Sequence, residues 1–431
     1  MALIGVDDTD SRTAGMCTTW IASEICTQLP ETAATETFLV RLHPAIEYKT
    51  RGNGAVAIQA DVDVKSALSI ASAVVDEWAV HDDPDTNPGI VVAEEGDATT
   101  EELQSIACDA IRGPVSRSSV DTTLRHGAFE SQSWGNGRGL IGATAAVGAA
   151  AARHQHEPPF DDWTLEYLVY RRQNRWGTDR SVTVQSRTAI SGVTGVWDTV
   201  DPISGDLVCV PNSPCPVLYG IRGGDRLAIQ SVAQALDGEP KARSRWFITN
   251  QGTDAHLISG EIGTLRDGTS YRVRGRVTER PTTKTGGHVH FSIGRGGYSR
   301  ACVAFAPTGR FREWVNDLRV GDEVIVCGEC SENTIKLEKF ALCEPVLSTW
   351  ETPTCDSCAR RMKSAGRGQG YRCKACGTNA PGKVLAPLER RIETGWYEVP
   401  PNARRHLAAP LIRGNYELPI HPTTGDCSRP W

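Results

Sequence analysis

Long apolar runs are missing from this 431-residue chain. The longest, Leu140 to Ala152, is rich in Gly and Ala and falls well short of the roughly 20 residues that span a bilayer. No basic region precedes an apolar one at the N-terminus, so no signal peptide and no membrane partner are expected, and the expected location is cytoplasmic. Lysine is scarce, nine residues against 37 arginines, a skew from which no function follows. The fourteen cysteines are sparse outside the C-terminal third, which argues against a disulfide scaffold; clustered thiols in a reducing compartment are metal ligands. Tandem repeats are absent.

What is present is a division of charge. Residues 1–130 hold 22 acids against 8 Lys/Arg, whereas residues 359–413 hold 12 Lys/Arg against 3 acids and residues 270–319 hold 10 against 3. An acidic head suits metal or small-cation chemistry, and basic distal segments suit a polyanion. The length predicts three or four domains. Alternating strand and helix patterns, with strands at 2–7, 36–42 and 54–60 and helices at 15–28, 64–79, 99–111 and 139–153, predict an α/β domain over 1–157. Residues 158–262 read as an α+β module, and 263–347 as an all-β, OB-type barrel of five short strands. Residues 348–431 carry paired cysteines and little periodicity. The fold class is thus multidomain α/β and α+β with an all-β C-terminal part.

Cys355, Cys358, Cys373 and Cys376 form C-x2-C-x14-C-x2-C, the spacing of two knuckles closing on one structural Zn²⁺. Cys327 and Cys330 share the two-residue spacing but sit on a predicted barrel strand, as ordinary semi-buried thiols. Gly137-Arg138-Gly139-Leu140-Ile141-Gly142 matches G-x-G-x-x-G, yet ESQSW before it is a poor strand, so a Gly-rich turn opening a helix is the simpler reading. Gly137 and Gly139 then either hold a phosphate on free helical amides or make a tight packed turn. Lys49, Arg51 and Asn53 lie on a Gly-containing loop that could clamp anionic oxygens or be a solvated hairpin. In IGVDDTDSRTAGMCTTW, Asp7, Asp8 and Asp10 crowd a strand end and Thr18 opens a helix. Clustered carboxylates call for a cation, Mg²⁺ sharing nucleotide phosphates being the natural one. Plain turn and capping chemistry is the alternative.

The run IGVDDTDSRTAGMCTTW, followed in order by KTRGNGAVA, WGNGRGLIGA, PCPVLYGIRGGD, TNQGTDAHL, the barrel and the four cysteines, resembles the archaeal tRNA-isoleucine 2-agmatinylcytidine synthetases over nearly the whole chain. Trp20 departs from the smaller aromatic expected after the CTT triplet. The resemblance implies a kinase-like domain, a ferredoxin-like domain, an OB fold and a zinc ribbon. It implies joining of agmatine to C2 of the wobble cytidine of an isoleucine tRNA with a CAU anticodon, ATP going to AMP. It also implies phosphorylation of a threonine of the triplet, matching Thr18, with Thr19 the alternative. Asp7, Asp8 and Asp10 would bind Mg²⁺ and phosphate or orient the nucleophile; Lys49, Arg51, Asn53, Gly137 and Gly139 would hold ATP. The oligomeric state is not legible. Two other readings stay open: an aspartyl-nucleophile phosphatase using Asp8-Thr9-Asp10, and a non-catalytic OB and zinc-ribbon RNA binder.

Overall fold

The computed structural model describes residues 1–50, 52–414 and 416–421. The N-terminal half of the chain builds one nine-stranded sheet with the order β5-β4-β1-β3-β2-β9-β6-β8-β7. The strands are β1 (Ala2–Asp7), β2 (Ala34–Arg41), β3 (Gly54–Ala60), β4 (Gly89–Glu94), β5 (Phe129–Ser133), β6 (Thr164–Arg171), β7 (Val196–Trp197), β8 (Val217–Gly223) and β9 (Lys241–Thr249). The two blocks expected to part near residue 157 are therefore joined edge to edge. Strand β9 runs parallel to β2, pairing Ile248 with Phe38 and Thr249 with Leu39. A cleft can then draw its walls from both halves.

Alternation along β1 to β4 feeds two cores, because successive side chains leave opposite faces of a strand. Ile4, Val6, Val56 and Ile58 meet α1 (Thr18–Gln28) and α2 (Val64–Trp78). Leu3, Ala55, Ala57 and Val91 meet α3 (Glu101–Arg112) and α5 (Gly139–Ala151). Asp63 caps α2, its carboxylate accepting the Ser66 N–H at 2.9 Å. Helix α5 is buried almost all round and made of Gly and Ala, so it lies close on the sheet. A Cβ at Gly5 of β1 would stand 2.2 Å from the Ala143 carbonyl oxygen. The segment FESQS does form the strand β5; it is a half-exposed sheet edge, which is why it lacks an apolar signature. Helix α4 (Arg117–His126) precedes it, with Ser116 as its N-cap. Helix α6 (Arg226–Ala235) covers the far end of the sheet.

Beyond the sheet, β10 (Leu257–Gly260) already pairs with the barrel, in parallel with β11 (Thr269–Thr283), so the all-β unit begins a few residues earlier than 263. With β12 (Val289–Arg295), β13 (Tyr298–Ala304), β14 (Glu323–Ser331) and β15 (Thr334–Glu344), β11 forms a closed circuit of pairings, β11-β12-β13-β15-β14-β11. Helix α7 (Arg310–Asn316) buries Phe311 and Val315 in the barrel core.

The chain then makes a small three-stranded unit around the cysteines and returns. Residues Gly395–Glu398 pair with β15, and the following segment wedges between barrel and sheet. Arg404 pairs with Asp198 and Glu398, Arg405 with Glu329, and Arg413 with Asp162 at 2.9 Å. Part of the basic stretch that the charge count reserves for a polyanion is thus neutralised inside the protein. The buried Arg404–Asp198 and Arg404–Glu398 pairs lose about 3–5 kcal/mol when one partner is removed. Among the described residues no helix is long and apolar enough to cross a membrane.

Candidate functional site

Strand β1 carries Asp7 to the edge of a cleft of about 650 Å³ that both halves of the sheet enclose. The chain turns sharply there: Asp8 takes φ +58°, and Thr9 is fully buried. The Thr9 carbonyl accepts the Val80 N–H at 3.1 Å, and its hydroxyl donates to Thr18 Oγ1, also at 3.1 Å. Asp10 Oδ1 accepts from Thr50 Oγ1 at 2.9 Å and its carbonyl from Thr86 Oγ1 at 2.8 Å. A small loop closed by Ser11 N–H on the Gly15 carbonyl then leads into α1. At Gly15 φ is +92°, and a Cβ would lie 2.1 Å from the Pro214 carbonyl oxygen. Only glycine allows that approach.

Helix α1 begins at the cleft wall with Cys17, Thr18 and Thr19. Its N-cap, Cys17, makes no side-chain cap and its first turn holds no acid, so the helix start keeps its partial positive charge toward the carboxylates. Burial pushes the Asp7 carboxyl well above the usual carboxylate range, and the neighbouring Asp8 and Asp10 push it further. Burial also raises Asp8, to about 6, against the pull of the Arg138 guanidinium. A further cation placed against these two carboxyl groups would lower both.

Arg138 is the cation that reaches Asp8, through Nε at 3.2 Å and Nη2 at 3.0 Å to Oδ2. Its Nη2 also donates to the Asp85 carbonyl at 2.5 Å, and the guanidinium lies 5.3 Å over the Tyr48 ring. The Gly-rich turn exists to aim it. Asn87 Oδ1 accepts Asn136 N–H at 2.9 Å, Asn136 Oδ1 accepts Arg138 N–H at 2.9 Å, and Arg117 clamps the Gly137 carbonyl.

Gly137 and Gly139, expected as phosphate holders, do not line the cleft. Gly137 has φ +71°, and a Cβ on Gly139 would stand 2.5 Å from the Gly89 nitrogen, so both are there for turn and packing. The residues of the turn that do face the cleft are Arg138, Ile141 and Gly142. A Cβ on Gly142 would sit 1.9 Å from Asp7 Oδ2.

The loop between β2 and β3 forms the opposite lip. Arg12 holds it by donating to the carbonyls of Lys49 at 2.8 Å and Thr50 at 3.0 Å. Lys49 and Asn53 both line the cleft, Asn53 also donating to the His43 carbonyl at 3.0 Å. Partial burial, then the Arg405 charge, lowers the Lys49 ammonium below its ordinary range. Arg51 lies outside the described residues.

Several wall residues escaped the sequence reading. Glu166 of β6 is buried between Arg222 at 3.1 Å and Arg41 at 3.9 Å. His406, from the C-terminal segment, faces Gly52, where a Cβ would meet its ring at 2.6 Å. Among the described residues its Nδ1 has no partner, and burial holds the imidazole neutral. Nothing local marks these residues, because the sheet and the returning segment bring them from more than 100 positions away. Arg138 did carry a signal, as the single charge inside GNGRGLIGA.

Away from the cleft, the sulfurs of Cys355, Cys358, Cys373 and Cys376 all lie within 4.8 Å of one another, the span of a tetrahedral thiolate site. Gly377, at φ +79°, turns the chain after the last of them. Cys327 and Cys330 are buried in β14 outside this group, their thiols raised by burial to about 12 and about 11.

Three family models match: the TiaS TCKD domain over residues 3–62, the TiaS FLD domain over 137–256, and the TiaS C-terminal zinc ribbon domain over 352–392. The tRNA-isoleucine 2-agmatinylcytidine synthetase TiaS of Haloquadratum walsbyi is 43% identical, over 98% of this chain and all of that protein. Two solved structures superpose along nearly the full length, each covering 96% of this chain and 98% of theirs. One is TiaS in complex with its isoleucine tRNA and ATP, at TM-score 0.86 and 40% identity. The other is TiaS with the same tRNA, AMPCPP and agmatine, at TM-score 0.82 and 36% identity. The chain belongs to the tRNA-isoleucine 2-agmatinylcytidine synthetase, or TiaS, family.

Proposed function

We propose that this chain uses ATP to join agmatine to C2 of the wobble cytidine of an isoleucine tRNA. The observation that carries the reading is the juxtaposition of a half-buried acidic trio, an uncapped helix start bearing threonines, and a basic loop around one cleft. Full-length relatives named for this reaction, one of them solved with tRNA, an ATP analogue and agmatine, support it.

The C2 oxygen of cytosine is a poor leaving group. Phosphorylating it at the expense of ATP lets an amine displace it: the agmatine nitrogen bonds to C2, the C2–O bond breaks with the oxygen departing on phosphate, the amine proton goes to solvent, and hydrolysis of the second phosphoanhydride bond, with water supplying the oxygen, leaves AMP and a second phosphate. Asp7, Asp8 and Asp10 offer hard oxygen donors, and a divalent cation such as Mg²⁺ fits them. Such an ion would neutralise the phosphates when bound. Arg138 would then turn from Asp8 toward a phosphate, Lys49 and Asn53 would hold others, and Thr18 would receive a phosphoryl group at the start of α1.

In this reading residues 1–157 act as the kinase-like unit and 158–262 as a ferredoxin-like unit, with α5 shared between them. The barrel, entered at Leu257 and running to about residue 347, is an OB fold, and a zinc ribbon follows, with the returning segment locking it to the sheet. The aspartyl-phosphatase reading is disfavoured because two nitrogens of Arg138 occupy Asp8 and full-length relatives are named for the synthetase reaction. Formation of AMP from ATP only when both tRNA and agmatine are present is the expected result. AMP formation indifferent to both would refute the reading.

A further inference from the structure

His406 belongs to the cleft wall, yet the phosphoryl chemistry gives it no task. It comes from the returning C-terminal segment, and its backbone is pinned on both sides. Its carbonyl accepts the Gly252 N–H at 2.8 Å, and the Leu407 carbonyl accepts the Asp254 N–H at 2.8 Å. Arg405, just before it, is taken up by Glu329 at 2.7 Å. Gly52 of the lip closes on the ring, where a Cβ would stand 2.6 Å from both Cδ2 and Nε2. Gly52 does not occupy the left-handed region, so glycine serves the close approach there rather than a turn. Among the described residues neither ring nitrogen has a hydrogen-bond partner, and Nδ1 is shut off from solvent. A packing role would not call for a polar ring with an unmet nitrogen.

Cations face this ring. After burial, the charges on Arg41 of β2, Arg222 of β8 and Lys49 of the lip hold it neutral, and all three line the cleft. Glu166 is the carboxylate set against them, 3.1 Å from Arg222 and 3.9 Å from Arg41. The wall therefore carries more positive charge than negative, which suits a phosphate. The Asp10 charge is felt at Arg41, so this wall lies within reach of the acidic trio.

We propose that His406 accepts the proton of the attacking amine, a role that rests on the proposed function and deepens it. The agmatine nitrogen bonds to C2 and becomes positively charged, and the C2–O bond breaks with the oxygen leaving on phosphate. The nitrogen's proton passes to the imidazole and from there to solvent. The surrounding cations help in two ways: they disfavour an ammonium beside them, so the amine arrives neutral, and they keep the imidazole unprotonated. A phosphate drawn to the same cations offsets them and makes the ring more basic where the proton is released.

The test separates phosphoryl transfer from amine attack in single turnovers of the full-length zinc-loaded protein. Radiolabelled ATP, an unmodified isoleucine tRNA transcript and saturating agmatine are supplied. His406→Gln should form the adduct about 10²-fold more slowly, while label from ATP still reaches protein and tRNA and persists on the tRNA. His406→Ala should recover at least about tenfold when free imidazole is added, and the parent should not respond. Gly52→Ala, which displaces the ring while leaving it in the chain, should show the same selective loss. Adduct formation at the parental rate in His406→Gln overturns the assignment. So does an equal slowing of labelling and adduct formation with no recovery by imidazole, which would mark a packing role. A parent that forms no adduct counts instead against the proposed function.

Discussion

Thr9 Oγ1 donates to Thr18 Oγ1 at 3.1 Å, both hydroxyls lying out of solvent beside the acidic trio. Because Thr9 supplies the proton of that bond, the Thr18 hydrogen is left to point elsewhere, toward a group that can take it. Incubation with radiolabelled ATP should leave hydroxylamine-stable label on the parent and none on Thr18→Val. Thr9→Val should retain labelling but slow it about tenfold, the worth of a hydrogen bond of ~1.4 kcal/mol.

Arg138 meets Asp8 through two nitrogens of a planar fork, and a lysine cannot reproduce that. Arg138→Lys should therefore fail to rescue. Both it and Arg138→Gln should lower kcat/KM for ATP by about 10²-fold while the melting temperature moves little, since the side chain is at the cleft surface. Steady-state kinetics beside a thermal melt read both.

Gly142→Ala places a methyl group against Asp7 Oδ2. The carboxylate or α5 must move, at an overpacking cost of about 1–3 kcal/mol. The expected outcome is a lower melting temperature together with loss of ATP turnover. An unaltered melt with full turnover would show that Asp7 is not held where it stands.

Much of this was legible in the residues. The apolar alternation of β1 and β3, the Asp63 cap and the five barrel strands follow from period and turn chemistry, and the four cysteines follow from their spacing. The joining of β9 to β2 was not legible, because parallel pairing across about 200 residues leaves no local mark. Strand β5 was hidden because an exposed edge needs no apolar face. The glycines at 137 and 139 carry a second reading for a related reason: a glycine pattern reports where backbone must come close, and here Gly139 comes close to Gly89 and Asp7. Glu166, Arg222 and His406 reach the cleft only through that long-range topology.

His43 is buried, and burial, then the charge on His256, lowers its imidazole to about 3. The unfolded chain binds a proton near 6.5 that the folded one refuses, so stability is full above about 6.5 and falls as pH drops toward about 3, by about 1.4 kcal/mol per unit for this group. Asp8, raised to about 6, acts in the opposite sense between about 4 and 6. Comparing His43→Gln with the parent isolates the histidine: their melting temperatures should converge as pH falls from about 7 to about 4.

Residues 353–380 contain only three two-residue strands and a core of little beyond the cysteines, Met362 and Tyr371. Folding there depends on metal. A strong chelator should release one zinc per chain, expose the ribbon to proteolysis, and weaken tRNA binding while leaving nucleotide binding at the cleft intact. Cys355→Ser should reproduce this.

The most direct measurement is mass spectrometry of nucleosides from an isoleucine tRNA transcript with an unmodified wobble cytidine, after incubation with this protein, ATP and agmatine. Conversion of that one cytidine to its agmatine adduct, about 10²-fold slower in the Arg138→Gln reaction, is the predicted result. ATP consumption with the cytidine left unchanged would contradict it.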